Sequence, residues 1–231
     1  MRAALPLLAG AALASCGSAG AIRPGFIGAS AATDFSAPIA SIEDRKFATV
    51  IRQRYDFSCG SAALATLMHY HYGDATTEET AFREMWRGGD QGKIRAQGFS
   101  LLDMKRYLEA RGHKANGFKV TLAQVAEAKV PGIALVTVSG YRHFVVVKGV
   151  TNAEVLIGDP SLGLKVVSTA TFQKSWNGIY FVLDTDVQTG RSTFNAPGQW
   201  ASYVRAPVGN RFSDPVSLQA LALTAPFYRD F

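Results

Sequence analysis

Between residues 59 and 72 the apolar positions Ala62, Ala63, Leu64, Leu67, Met68 and Tyr70 recur at helical spacing, and Gly73 closes the run. The spacing predicts a helix that begins at a cysteine. Thr76-x-x-Glu79 and Ser100-x-x-Asp103 have the form of capping boxes. The first predicts a helix stopped at Gly88-Gly89, and the second a helix running to about Arg111 before Gly112. Thr121-x-x-Gln124 predicts a short fourth helix that closes near Pro131. Weak alternation over residues 46–54 predicts a strand, and residues 88–98 read as a polar loop able to act as a lid.

After Pro131 the pattern changes. Residues 132–139, 142–149 and 153–159 are apolar, β-rich runs separated by short turns, and residues 164–168 and 178–183 add two more. Helices first and strands second predict an α+β domain, with N-terminal helices packed on a C-terminal antiparallel sheet. Beyond residue 184 the chain reads as an irregular extension, 185–231, with Pro197, Pro207 and Pro215 and a short helix over 216–223.

Composition supports a globular body: 48% of the 231 residues are hydrophobic and 18% charged. The formal charge of +6 admits an anionic partner. The basic residues are scattered, however, with no basic and aromatic run, so nucleic acid is not an expected partner. Arg2 and the apolar stretch from Ala3 to Ala14 have the length of a signal-peptide core, too short for a membrane span. Leu13-Ala14-Ser15-Cys16 resembles a bacterial lipobox. It predicts export over residues 1–16, lipidation of Cys16 and a membrane-anchored periplasmic protein. The alternative is plain cleavage after Ala19 or Ala21. Residues 17–38, rich in Gly, Ala and Ser, read as a tether, and the folded domain is expected over 39–184.

The chain holds two cysteines. With Cys16 removed or lipidated, Cys59 is an unpaired thiol in an exported chain, a pattern that points to reactivity. It lies in Asp56-Phe57-Ser58-Cys59-Gly60, where Asp56 or Ser58 is placed to cap the helix. A thiolate at a helix N-terminus gains from the free N–H groups and the macrodipole. Gly60 is expected to let a substrate backbone approach. His143 opens an apolar strand and Asp159 ends the next. A tight turn centred on Thr151 would set these two directly opposite, with Cβ atoms about 4.5–5.5 Å apart. A carboxylate on one ring nitrogen leaves the other for a thiol. Gln53, before the cysteine, has an amide able to donate to an oxyanion together with the Cys59 N–H. His69 and His71 are two apart on one helix and make a poor metal pair. No Cys, His and carboxylate cluster has zinc spacing, and no cofactor motif occurs.

The run from Gln53 to Leu64 resembles the nucleophile motif of the C39 peptidases, papain-like domains that remove double-glycine leaders from bacteriocin precursors. His143-Phe144-Val145-Val146-Val147-Lys148-Gly149 and Asp159-Pro160-Ser161-Leu162-Gly163 resemble that family's His and Asp motifs. Phe172 and Trp176-Asn177-Gly178 resemble its closing helix and last strand. The resemblance implies a papain-like fold, with Cys59 as nucleophile, His143 as base, Asp159 as orienter and Gln53 as oxyanion donor. It implies a peptide or protein substrate and no cofactor. The chain is more similar to stand-alone, exported members encoded with outer-membrane secretion systems, such as those for functional amyloid, whose components become expected partners. A peptide-binding module without hydrolysis and a papain-like cell-wall amidase are the alternatives.

Overall fold

The computed structural model describes residues 41–201, Ser139 excepted. The expected signal segment over 1–16 with Cys16, the expected tether over 17–38 and the helix expected over 216–223 lie outside the described residues.

Nearly all of α2 (Cys59–Tyr72) is buried, from Cys59 through Met68. A helix apolar on every side belongs at the centre of a domain, and α2 lies between other helices and a sheet. Leu64, Leu67 and Met68 share a core with Met85 of α3 (Glu78–Gly88) and with Met104 and Leu108 of α5 (Leu101–Ala110). On the sheet side that core takes Ile133, Phe144, Val146 and Phe181. Successive strand residues point to opposite faces, so Ala134, Val136, Val145, Val147 and Tyr180 form a second core. It is covered by Leu122 and Val125 of α6 (Leu122–Ala128) and by Phe172 of α7 (Thr169–Ser175).

The sheet has six antiparallel strands in the order β1-β6-β2-β3-β4-β5. These are β1 (Ala115–Lys119), β2 (Gly132–Val138), β3 (Tyr141–Val150), β4 (Glu154–Asp159), β5 (Gly163–Ser168) and β6 (Trp176–Leu183). Helix α7 carries the chain from the β5 edge back to β6, which enters between β1 and β2. With the helices before it, this is the expected α+β architecture.

Several expectations are corrected. The strand over 46–54 is the end of a helix, α1 (Ile42–Phe47), capped by a Ser41/Asp44 box, and an irregular segment after it. Thr77, not Thr76, caps α3 by accepting from Thr80 N. Thr76 instead bonds through its N–H to Asp74 Oδ1 at 2.8 Å. The loop over 88–98 contains α4 (Gln91–Gln97), started by Asp90 accepting from Lys93 N. Strand β1 was invisible because Asn116, Gly117 and Lys119 break its apolar pattern. Residues after 184 include α8 (Val187–Thr193) and α9 (Pro197–Ala201). They dock through Thr193 Oγ1 to His71 Nδ1 at 2.7 Å and Asn195 to the backbone of Val150 at 2.8 and 3.1 Å.

The β3–β4 ladder carries a bulge at Lys148. One extra residue lets Val147 and Val150 share a face, while Lys148 lies on the α2 face with Phe144 and Val146. Lys148 is 1% exposed, its Nζ donating to Thr49 O at 2.7 Å and lying 5.2 Å from the Tyr70 ring centroid. Burial pushes its pKa down to about 7. Between that value and the unfolded lysine value near ~10.4 the unfolded chain holds more protons. This group therefore costs stability as pH falls through that window. Lys148→Met is expected to stabilise the protein at pH 7 by on the order of 1–3 kcal/mol and to flatten the slope of stability from pH 7 to 10. Thermal melts across that range check it, and an unchanged slope would count against the buried-charge account.

Candidate active site

The site is assembled where the first turn of α2 meets the β3 and β4 ends of the sheet. Cys59 is the first residue of α2 and 5% exposed. Neither Asp56 nor Ser58 caps the helix as expected. Ser58 occupies the N-cap position, but its side chain makes no cap bond. Its hydroxyl accepts from Tyr55 N at 3.1 Å and donates to Tyr55 O at 3.0 Å, closing the turn before the cysteine. The first-turn N–H groups are thereby left without a side-chain cap, facing the thiol and whatever binds there. Phe57 anchors this turn on α3, its ring centroid 5.9 Å from that of Phe82. The Tyr141 hydroxyl donates to Asp56 O at 2.9 Å, tying the β2–β3 hairpin to the cysteine loop.

Gly60 has a packing part as well. A Cβ there would lie 2.9 Å from both Met104 and Phe99. The glycine lets α2 press against these core side chains.

His143 is 8% exposed and Asp159 2%. His143 Nε2 lies 2.7 Å from Asp159 Oδ1. The path to this contact differs from the direct opposition expected. Val147 faces Ile157 and Val146 faces Gly158, so the ladder is centred on Asn152, not Thr151. Asp159 falls opposite Val145, and His143 is its diagonal neighbour. A displacement of two positions keeps both side chains on one face, where a displacement of one would have separated them. A diagonal pair lies within reach of side chains of this length.

Asp159 Oδ1 also accepts from Ser161 N at 2.9 Å, Ser161 Oγ at 2.7 Å and Leu162 N at 3.3 Å. Its other oxygen, Oδ2, meets Lys165 Nζ at 2.9 Å. Burial would raise this carboxyl, but the bonds from His143, Lys165 and Ser161 outweigh it and hold the pKa far below the usual carboxylate range. For His143, burial acts to lower the pKa. The hydrogen bonds to Asp159 and Cys59 and their negative charge overcome it and raise the ring to about 9. With Nε2 taken by Asp159, Nδ1 is the nitrogen left for Cys59.

Gln53 is held beside the Asp159 turn by its N–H donating to Pro160 O at 3.0 Å. Its Nε2 donates to Tyr55 O at 3.1 Å, and its buried Oε1 has no partner. An amide nitrogen carries two N–H donors, so one remains for a ligand.

A cleft of about 780 Å³ opens from Cys59 between the α4–α5 connection and the β2–β3 hairpin. Phe99, Leu102, Leu135 and Phe144 supply apolar walls, and Arg95 and Arg142 line it as well. A smaller cavity of about 450 Å³ lies along β2, β4, β5 and α7, and His143, Asp159 and Lys165 contribute to it. No group of three or more His, Cys, Asp or Glu suited to a metal occurs among the described residues. His71 is buried and His69 exposed, so the two do not converge. Sequence reasoning missed Tyr141, Ser161 and Lys165 as parts of the site. Asp-Pro-Ser signalled a turn, and a turn of that kind folds its N–H groups back onto the Asp oxygen. Nothing along the chain distinguished Lys165 from a solvated strand lysine.

Helices carrying a buried cysteine against an antiparallel sheet that carries a histidine and a carboxylate define the papain-like peptidase fold. The solved peptidase domain of Streptococcus ComA, a bifunctional ABC transporter of a quorum-sensing pathway, has this fold. It superposes with a TM-score of 0.51 at 23% identity, covering 58% of this chain and 96% of that one. The family model described as "Peptidase C39 family" matches residues 48–188, more than half of the chain. The protein belongs to the peptidase C39 family. It is 43% identical over 145 residues to the "Probable functional amyloid protease FapD" of Pseudomonas aeruginosa, and 44% identical over 145 residues to that of Pseudomonas fluorescens. Each match covers 63% of this chain and 64% of the relative, slightly less than two thirds of its length. It is also 31% identical over 133 residues to the "Lactococcin-G-processing and transport ATP-binding protein LagD" of Lactococcus lactis, covering 56% of this chain and 18% of that protein.

Proposed function

We propose that this protein is a cysteine peptidase that hydrolyses a peptide bond in a secreted protein. The observation that carries the reading is the His143–Asp159 contact of 2.7 Å, which leaves His143 Nδ1 for a buried thiol at an uncapped helix N-terminus. With its pKa raised to about 9, His143 favours the protonated ring at neutral pH. As base it takes the Cys59 proton, and the pair that reacts is thiolate and imidazolium. Sulfur attacks the substrate carbonyl carbon. The oxygen takes the negative charge, and the Cys59 N–H and the free Gln53 donor stabilise it. Collapse breaks the C–N bond, and the imidazolium gives its proton to the departing amine. Neutral His143 then takes a proton from water, hydroxide attacks the thioester, and the released sulfur regains the ion pair. Asp159 keeps the ring oriented and favours its cationic form throughout.

The relatives named functional amyloid proteases support a functional-amyloid protein as the substrate class. The resemblance to exported members encoded with outer-membrane secretion systems adds the components of such a system as partners. The lipobox at Cys16 supports periplasmic placement on a lipid anchor. No described helix is long and apolar enough to cross a membrane. The test is titration with iodoacetamide while cleavage of a candidate secreted substrate is followed by mass spectrometry. Cleavage is expected to fall in step with carbamidomethylation of Cys59. Full modification of Cys59 with cleavage undiminished would overturn the reading, and loss of binding without any cleavage at the start would favour a binding module.

A further inference from the structure

We infer that Lys165 is a positioning residue, which pins Oδ2 of Asp159 so that Oδ1 stays directed at His143. The inference rests on the peptidase reading of the site and adds a residue to it. Oδ1 is crowded: His143 Nε2, Ser161 N, Ser161 Oγ and Leu162 N all converge on it at 2.7–3.3 Å. A carboxylate oxygen has about two lone pairs to offer. Left to itself, the carboxylate lowers its energy by turning about its terminal bond and spreading these donors over both oxygens. That turn weakens the bond to His143, because the Ser161 and Leu162 N–H groups are fixed by the tight turn and the imidazole is the partner that can be lost.

Lys165 opposes that rotation. Its Nζ lies 2.9 Å from Oδ2, which has no other partner among the described residues. The lysine reaches this point because β5 pairs with β4 in a register that sets Lys165 against Ile157 and Asp159 against Gly163. Ile157 and Asp159 share a face, so the long side chain runs from beside Ile157 along the sheet to the carboxylate. Its side chain is 31% exposed, so substitution disturbs little of the core.

Pure electrostatics and positioning predict opposite results. If Lys165 acted only as a nearby charge, its removal would relieve repulsion on the imidazolium, and His143 would hold its proton to higher pH. If it pins the carboxylate, its removal loosens the strongest support of the imidazolium, and His143 would lose its proton at lower pH. Among the described residues, the charged or titratable groups near the ring are Asp159, Cys59 and Tyr141, whose ring centroid is 6.3 Å away, with Lys165 and Lys174 lining the same cavity.

The chain has four histidines, so the imidazole signals of the full-length protein are few enough to titrate by NMR, with His143→Ala assigning the resonance. In Lys165→Met the His143 midpoint is expected to move down by about half a unit or more, a roughly threefold fall in the imidazolium-to-imidazole ratio at the wild-type midpoint. Lys165→Arg, which keeps a donor and a charge on Oδ2, should restore the midpoint. A midpoint that is unchanged or raised in Lys165→Met, with the wild-type value elevated, overturns the positioning role alone. A wild-type His143 that titrates like a free imidazole overturns the site reading and this inference together. Thermal melts of each variant confirm that a folded protein is being titrated.

Discussion

Turnover in Cys59→Ala and in His143→Ala is expected to fall by about 10⁴-fold or more, to nearly the same residual level in each and in the double variant. On the proposed mechanism the two side chains act as one unit: the sulfur needs the imidazole to take its proton, and the imidazole has nothing to activate without the sulfur. What survives is substrate binding and the oxyanion donors at Gln53 and the α2 N-terminus. Alkylation separates the roles. Wild-type Cys59 should react with iodoacetamide faster than a free thiol near neutral pH, because the imidazolium and the helix terminus both favour thiolate. His143→Ala should slow it. Equal rates across pH 5–8 would show that Cys59 and His143 do not form a pair. The cleavage assay is sound only where circular dichroism shows the fold retained. That is expected for Cys59→Ala, a loss of one sulfur atom from a site that is not purely apolar.

For Asp159→Asn the expected loss of turnover is roughly 10²–10⁴-fold, with the direction of the pH profile as the more telling result. The carboxylate is a main cause of the elevated His143 pKa of about 9. Leaving-group protonation needs the imidazolium, so wild-type activity should decline as pH rises through that value. In Asp159→Asn burial still disfavours the charged ring while the carboxylate no longer offsets it, and the alkaline limb should move to lower pH. Stability follows with the same sign. A histidine whose folded pKa is raised stabilises the protein fully below about 6.5 and loses that contribution as pH rises through about 9. Asp159, depressed in the fold, contributes above its unfolded value near ~3.9 and loses that as pH falls further. Steady-state rates over pH 6–10 check the first statement. An alkaline limb at the same pH in both proteins would sever Asp159 from His143.

Much of the local structure was legible because it is dictated by near neighbours. The helix at Cys59 needed only its own apolar spacing and the Gly73 stop, and the boxes at Ser100 and Thr121 cap their helices through side chains three residues away. In α4, hidden within a polar loop, Asp90 caps the helix by accepting from Lys93 N, and a short polar helix has little apolar spacing to mark it. Strand β1 has a weak pattern of its own and exists because β6 offers it an edge, Ala115 pairing with Leu183. The face shared by His143 and Asp159 was readable from parity alone. Their register was not, because a bulge adds a residue at Lys148, and turn geometry rather than composition sets the ladder's centre.

The sequence by itself determined which residues are candidates for the chemistry: one thiol at a helix start, one histidine on a strand, one aspartate at a strand end and one glutamine before the cysteine. These properties are written in residue type and short-range spacing. The tertiary structure decided the rest. It turned Gly60 into a packing contact, used Ser58 to close a turn instead of capping α2, and brought Lys165 from the next strand onto the free oxygen of Asp159. It also turned the described part of the expected extension, up to residue 201, into helices docked on His71 and Val150. Each of these depends on contacts between residues distant in the chain or on competition between equivalent partners. Such outcomes follow from the free energy of the whole packed assembly, which no short window of sequence contains.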